Sequence, residues 1–530
     1  DDARRTPSRH RVDAAGIERA LDPALWRAPG APPREAVAAL LARAAAALPA
    51  DGDHAADAVE DALAAVCLAP ACAERDARRP WSVLLDAERA AVLAALEVPQ
   101  RRADGTRPTE RAHPEASRIG GGVEVLRAFV ASAQARTPQR RPRIAVVTAS
   151  AFDPMDAVDF YLDAFRRLGA EAVWWPVDGA VAAARFERGD CGALPALRVA
   201  RLRLPNREAV YPDLAGFQQA FCASQPALML QVQGVFFAGG DQWKHREAFV
   251  QADDRPNDWL RELQQAHAEG RVVVGGTSAG AAVQSASWML GSGDVEAAVA
   301  RAARIAAPPE PGCARGDRCG GVPEDALTLW PAGGLRLAEG AIVDTHFSER
   351  SRELRLLMAM QAADARWGYG ADEASALHVR EIDGRREIRA LGETGGWVLR
   401  RAPGAVDEAE AWYLAPGATL IIERDADAAG GERVAVAVDP DAAAPVRVRS
   451  ARPRSAFDAG ALRTLAQRLA WRCGRGYTID AAPGEASLGC TEATRAWRRG
   501  DREATRTGAI VHGVGPLRLR FIRTEGSASP

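Results

Sequence analysis

The run Val272-Val273-Val274-Gly275-Gly276-Thr277-Ser278-Ala279-Gly280-Ala281-Ala282-Val283 constrains this chain more than any other stretch. Three β-branched residues without a polar interruption read as a buried strand. That strand runs straight into Gly-x-Ser-x-Gly and then into small residues able to start a helix, the pattern of a nucleophile elbow. A sharp strand-to-helix turn crowds the neighbours of its central residue, so glycines are needed on both sides. At a helix start Ser278 also faces the positive end of the peptide dipoles, which favours a developing anion. Glycine makes up 48 of the 530 residues, so the pentapeptide alone is a weak signal. The plain alternative is a helix-capping serine after a strand.

The surrounding pattern supports a strand–helix alternation. Arg143–Thr148 and Ala172–Val177 read as strands, with the helical spacing of Ala157–Leu168 between them. Val235–Phe237 precedes a glycine pair, and Arg246–Val250 and Trp259–Ala268 read as helices. Such alternation predicts an α/β fold with a largely parallel sheet covered on both faces. Functional groups then gather at the carboxyl ends of the strands. Residues 1–115 read as a helical N-terminal extension, with apolar periodicity in Ala36–Leu48, Ala55–Val66 and Ala87–Leu96. Beyond Gly370 the strands Ala376–Val379, Glu387–Ala390, Trp397–Arg400 and Thr419–Ile422 alternate like hairpins, and are expected to continue the sheet as antiparallel edge strands. Residues 425–530 read as a linker rich in Ala, Asp and Pro, then a small α+β extension with a helix at Ala461–Trp471 and a strand at Leu517–Ile522. At about 100–200 residues per domain the length suits about three units.

Charge narrows the partners. Sixty-eight basic and 70 acidic residues leave a net charge of −2, and only one basic residue, Lys244, is a lysine. No electrostatic footprint for nucleic acid is present. No uninterrupted apolar stretch reaches the about 18 residues that a membrane-spanning helix needs. No cofactor motif is visible. The eight cysteines are Cys67, Cys72, Cys191, Cys222, Cys313, Cys319, Cys473 and Cys490. Local spacing couples Cys67–Cys72, Cys313–Cys319 and Cys473–Cys490, and Cys191–Cys222 follows by elimination, although about a hundred connectivities are open to eight cysteines. Paired cysteines and a chain that begins at Asp1 fit an exported protein, secreted or periplasmic, with free thiols in the cytoplasm as the alternative. No His stands beside Cys313 and Cys319 at metal-ligand spacing, so no metal site is expected.

A serine hydroxyl needs a base, and the base needs a partner that sets its tautomer. Eight histidines are available. His346 follows the apolar run Ala341-Ile342-Val343, and Glu373 follows Gly368-Tyr369-Gly370-Ala371-Asp372, so both stand at strand exits. The order Ser–His–Glu differs from the Ser–Asp/Glu–His order of α/β-hydrolases. That order would call on His378 or His512, neither in a comparable setting. His245, near Gln242, reads as a surface histidine.

These residues together resemble the serine peptidases that include the aspartyl dipeptidases and cyanophycinase. The resemblance rests on Phe237-Ala238-Gly239-Gly240-Asp241-Gln242, Gly276-Thr277-Ser278-Ala279-Gly280-Ala281, Asp344-Thr345-His346-Phe347-Ser348-Glu349-Arg350-Ser351-Arg352-Glu353-Leu354-Arg355 and Gly370-Ala371-Asp372-Glu373. Weaker echoes are Ile119-Gly120-Gly121-Gly122 and Thr148-Ala149-Ser150. It covers residues 116–424, the expected catalytic domain. It implies a three-layer α/β sandwich with a mostly parallel sheet, class I glutamine amidotransferase-like and flavodoxin-like. By the same carry-over Ser278 is the nucleophile, His346 the general base and Glu373 its orienter. Asp241, Gln242, Asp344, Thr345, Arg350, Arg352 and Arg355 line the substrate pocket, Thr345 standing where a glutamine is expected. Backbone N–H groups of Gly240 and Ala279 suit an oxyanion hole.

The implied substrate is cyanophycin, a polyaspartate carrying arginine on its side chains, cut to β-Asp-Arg dipeptides without a cofactor. A homodimer is implied by analogy. Arginine forks suit aspartyl carboxylates, although the three arginines also fit a solvated helix face paired with Glu349 and Glu353. Competing readings are an aspartyl or isoaspartyl dipeptidase, and a non-catalytic envelope binding protein on the same scaffold.

Overall fold

The structure is a computed structural model that describes residues 3–4, 7–27, 31–49, 52–68, 79–224, 231–338, 340–401, 405–425, 431–439, 451–474, 476–498 and 511–523. Near the N-terminus, helices α1 (Arg34–Ala47), α2 (Ala56–Ala65) and α3 (Asp86–Leu96) turn their apolar stripes toward each other. Val37, Leu40, Leu41, Val59, Leu63, Val92 and Leu96 form a core of their own there.

Helix α4 (Gly120–Gln134) leads into a strand–helix alternation of β1 (Arg143–Val147), α5 (Val158–Arg167), β2 (Glu171–Trp174), β3 (Gly234–Phe237), α6 (Gln242–Phe249), α7 (Asp258–Ala268) and β4 (Val273–Gly276). These four strands form a parallel sheet in the order β2-β1-β3-β4. Side chains alternate across a strand, and the two faces divide accordingly. Ile144, Val146 and Phe236 pack with Val130, Ala133 and Phe165 of α4 and α5. Ala145, Val147, Val235 and Phe237 pack with Phe249, Leu260, Leu263 and Ala266 of α6 and α7. The core is α/β and compatible with a flavodoxin-like arrangement. β4 is its edge strand and is half-buried, not buried as its β-branched run predicts.

After β4 comes the one-turn helix α8 (Ala279–Ala282), and later β5 (Ala341–Thr345), α9 (Glu353–Ala362), β6 (Trp367–Ala371), β7 (Ser375–Ile382), β8 (Arg385–Gly392), β9 (Gly396–Arg400), β10 (Glu408–Leu414), β11 (Ala418–Arg424), β12 (Glu432–Val438), α10 (Ala461–Trp471), β13 (Tyr477–Ala481), β14 (Gly484–Arg498) and β15 (His512–Arg523). Here the expectation of one continuing sheet needs correction. β5 opens a second, seven-stranded sheet in the order β5-β6-β9-β10-β15-β14-β13, in which only β5–β6 is parallel. β7, β8, β11 and β12 form a separate four-stranded antiparallel sheet. Within these sheets the tight links from β7 to β8 and from β13 to β14 are too short for a crossover and permit only antiparallel returns. β15 pairs with β10, and β14 and β13 follow it, so these three strands from beyond residue 425 belong to the seven-stranded sheet.

The two sheets meet beside the elbow. The Ser285 hydroxyl accepts the Val343 N–H of β5 at 3.1 Å, and Ser285 bridges in parallel to Ala338. The carboxyl ends of β4 and β5 are thereby brought to one edge.

Cys191–Cys222, Cys313–Cys319 and Cys473–Cys490 are disulfide-bonded, as spacing and elimination suggested. Cys72, expected with Cys67, lies outside the described residues. No helix among the described residues is long and apolar enough to cross a membrane.

Candidate active site

Ser278 sits between β4 and α8 with φ 51° and ψ −120°, a region that a residue with a side chain enters at a cost of about 1–3 kcal/mol. Close packing of its neighbours enforces this. A Cβ on Gly276 would stand 2.4 Å from the carbonyl of Gly280, and one on Gly280 would stand 2.2 Å from the Phe237 oxygen. The Thr277 N–H donates to that same oxygen at 3.1 Å, tying the turn to the end of β3. The Ser278 side chain makes no capping bond to α8, so it is not the helix-capping serine of the plain alternative. Because α8 spans only four residues, little macrodipole accumulates, and individual N–H groups carry the local positive potential.

The hydroxyl instead meets an imidazole. Ser278 Oγ and His346 Nε2 are 2.7 Å apart, and His346 Nδ1 is 2.9 Å from Glu373 Oε1. With the proton on Nδ1 donated to the carboxylate, the Nε2 lone pair faces the hydroxyl. The Glu373 side chain is 52 % exposed and that of His346 27 %, so the pair is in contact with solvent. His346 has a positive φ of 49°, set where the chain leaves β5. β5 and β6 run parallel with Thr345 opposite Ala371, which places the next residues of each strand side by side.

Beside Ser278 lies the glycine pair after β3. A Cβ on Gly239 would stand 3.3 Å from the Ser278 Cβ. Gly240 has φ 141°, and a Cβ there would stand 2.0 Å from the Ser150 carbonyl oxygen. The Ser150 hydroxyl is 2.8 Å from the carbonyl oxygens of both Ala238 and Gly239, so the weak Thr148-Ala149-Ser150 echo is the clasp of this turn.

The residues expected to line the pocket divide. Asp344 is buried and already matched: Arg355 grips it through Nε at 3.0 Å and Nη2 at 2.6 Å, and Arg352 donates to it at 3.2 Å. Arg355 also donates to the Gly293 carbonyl, and Arg352 to that of Thr345, itself buried. Burial lowers the Arg352 guanidinium to about 10, against the pull of Asp344. Arg352 and Arg355 are therefore engaged internally, two cations sharing the one carboxylate of Asp344, and of the three arginines only Arg350 is exposed. Nor do they pair along a solvated helix face, since Glu353 is fully buried and Glu349 pairs with Arg463. Gln242 spends its amide N–H groups on the carbonyls of Leu290 and Gly291, leaving Oε1 as its remaining side-chain acceptor. Asp241 caps α6 by accepting the Trp243 N–H and stays exposed.

His245 needs correction. It is fully buried, with Nε2 2.9 Å from the Ala238 oxygen, and burial depresses it to about 4. It supports the glycine turn from beneath as a neutral ring. Among the described residues, Cys313, Cys319 and Glu324 cluster like a metal-ligand set but are committed otherwise. The two sulfurs are bonded to each other, and Glu324 accepts the N–H groups of Gly312 and Ala314. Glu349 and Asp372 stand inside the motifs that carry the resemblance, but that they join the loops behind the site through Arg463 could not be read from the sequence, because the partners lie 24 and 91–114 residues away.

No family model matches the chain. Among curated proteins it is 27 % identical over 263 residues to a cyanophycinase of Nostoc sp., covering 49 % of this chain and 75 % of that protein. It is 30 % identical over 166 residues to a cyanophycinase of Synechococcus elongatus, covering 31 % of this chain and 41 % of the relative. A cyanophycinase of Trichormus variabilis is 27 % identical over 263 residues, with 49 % and 75 % covered. The chain thus has a cyanophycinase-like relationship over part of its length, which suggests a hydrolase of the peptidase class.

Proposed function

We propose that the chain is a cyanophycinase-like serine exopeptidase on a three-layer, class I amidotransferase-like scaffold, releasing β-Asp-Arg dipeptides from cyanophycin through an acyl-enzyme. The observation that carries this reading is the 2.7 Å approach of Ser278 Oγ to His346 Nε2, with Glu373 2.9 Å from Nδ1. In this reading His346 takes the hydroxyl proton as Ser278 Oγ bonds to the scissile carbonyl carbon. The developing oxyanion faces the N–H groups of Gly240 and Ala279, where each donor is worth about 10²–10³ in turnover. The protonated imidazole then gives its proton to the leaving amine, and water attacks the acyl-serine by the same route in reverse. No cofactor takes part.

For binding, Arg350 is the exposed cation for a substrate carboxylate, and Asp241 and the Gln242 carbonyl are acceptors for a substrate guanidinium. Asp344, Arg352 and Arg355, already joined, act as a rigid wall. Export to the periplasm or medium is part of the proposal, supported by the three disulfides among the described residues; assembly as a homodimer rests on analogy alone.

Purified protein is incubated with insoluble cyanophycin and the products are identified by mass. Release of β-Asp-Arg, abolished in Ser278→Ala and His346→Ala variants that still unfold cooperatively, is the expected outcome. Hydrolysis of α-Asp dipeptides without polymer breakdown would replace this substrate with the dipeptidase reading. Full activity in Ser278→Ala would remove the mechanism.

A further inference from the structure

We propose that Arg463, from the C-terminal helix α10, is a positioning residue that locks the His346 loop and the Glu373 loop together. The proposal rests on the reading of Ser278, His346 and Glu373 as one catalytic set. The two loops leave β5 and β6 side by side, and each lends a carboxylate to the backbone of the other. Asp372, beside Glu373, accepts the Ser348 N–H at 2.9 Å. Glu349, on the histidine loop, accepts the Glu373 N–H at 3.0 Å. The second oxygen of each carboxylate is taken by a single nitrogen: Arg463 Nη1 donates to Asp372 Oδ2 at 2.9 Å and to Glu349 Oε1. Two reciprocal cross-loop bonds thus share one cation.

The helix that supplies the cation is docked on the same loop. The Gly460 N–H donates to the Ser348 carbonyl at 2.6 Å, and the Ser351 hydroxyl donates to the Asp458 carbonyl. From the sheet side the Tyr413 hydroxyl is 3.1 Å from Asp372 Oδ2 and 2.7 Å from the Thr394 carbonyl.

Charge makes the brace depend on Arg463. The Asp372 side chain is fully buried, and burial raises its pKa to about 6 even though Arg463 opposes the shift. Glu353 stands nearby, fully buried, and burial pushes it up to about 8. Without the guanidinium, Asp372 would be a buried anion without a charged partner, and would take a proton or seek water. Glu349 would lose its anchor, and the Glu373 N–H its acceptor. Glu373 is half-exposed, and apart from these bonds its backbone is held by the Ser375 and Thr394 hydroxyls, which lie 3.3 and 3.4 Å from its carbonyl oxygen. A misplacement of about 1 Å at such a position costs about 10²-fold in rate.

The test reads Ser278 directly with a fluorophosphonate reagent, which needs no knowledge of the substrate. Arg463→Met should label about 10²-fold more slowly than wild type, with an altered pH profile, while still unfolding cooperatively. Added guanidinium ion should restore part of the rate, and Arg463→Lys should stay within about 10-fold of wild type. On a working substrate kcat should fall with KM little changed. A folded Arg463→Met that labels at the wild-type rate and pH profile overturns the proposal, as does slowing that neither lysine nor guanidinium relieves. If Arg463→Met does not fold, Arg463→Gln takes its place under the same criteria. Should wild type itself resist labelling, the nucleophile assignment falls first. The brace is then judged by hydrogen exchange at the Ser348 and Glu373 amides: protection lost in Arg463→Met supports it, and unchanged protection refutes it.

Discussion

Replacing Gly280 by alanine should slow the reaction of Ser278 with an electrophile without touching Ser278, His346 or Glu373. The added Cβ would stand 2.2 Å from the Phe237 oxygen, 2.6 Å from its carbonyl carbon and 2.7 Å from the Ala238 oxygen. All three atoms belong to backbone at the end of β3, so no side chain can swing aside. To reach ordinary contact the start of α8 must retreat by about 1 Å. Ser278 lies two residues before Gly280, and its hydroxyl has little room to lose from a 2.7 Å approach to His346 Nε2. The retreat also stretches the Thr277 N–H bond to Phe237, the tether that holds the turn. A displacement of that size costs about 10²-fold, or about 2.7 kcal/mol of activation free energy. The assay is the fluorophosphonate labelling rate of Ser278 in Gly280→Ala, normalised to folded protein by thermal unfolding. Labelling within about twofold of wild type would refute the view that close approach of α8 to β3 sets the serine.

Two further outcomes follow from buried charge. Asp344→Ala strands Arg355 and Arg352, whose side chains are 8 % and 16 % exposed, so denaturant unfolding should show a loss of about 3–5 kcal/mol; a loss below about 1 kcal/mol would mean that the pair is dispensable to the fold. Glu353 has its pKa raised by burial from 4.5 to about 8, so between those values the native state holds a proton that the unfolded chain releases. Its contribution to stability is complete below 4.5 and is lost as pH climbs through about 8. Glu353→Gln should therefore gain stability relative to wild type as pH rises over that window, by a few kcal/mol at most, and a pH-independent difference in unfolding free energy would contradict the assignment.

The elbow was legible because its causes are local. Five residues and the strand before them contain the reason that Ser278 projects: the turn needs small neighbours, and glycines stand at 276 and 280. The Cys313–Cys319 and Cys473–Cys490 bonds span six and 17 residues and were readable from spacing for the same reason. Strand exits also marked His346 and Glu373 as residues able to meet at one edge. Their 2.7 and 2.9 Å contacts, by contrast, belong to three dimensions.

Other features turned on partners that spacing does not reveal. Asp344 and its arginines look like a substrate site in one dimension, because a charge with an internal partner and one without have the same letter. His245 looks like a surface residue until α6 folds back under Ala238. Antiparallel strands carry the same alternation whichever sheet they join, so the split into two sheets could not be read from periodicity. The amino-acid sequence by itself determined the strand–turn–helix around Ser278 and the residue types offered for proton transfer, because backbone sterics and side-chain chemistry act over a few residues. Only the tertiary structure decided which carboxylates are neutralised, which strands pair, and that a helix near residue 463 clamps the loops of the site, because those outcomes depend on contacts between segments far apart in the chain.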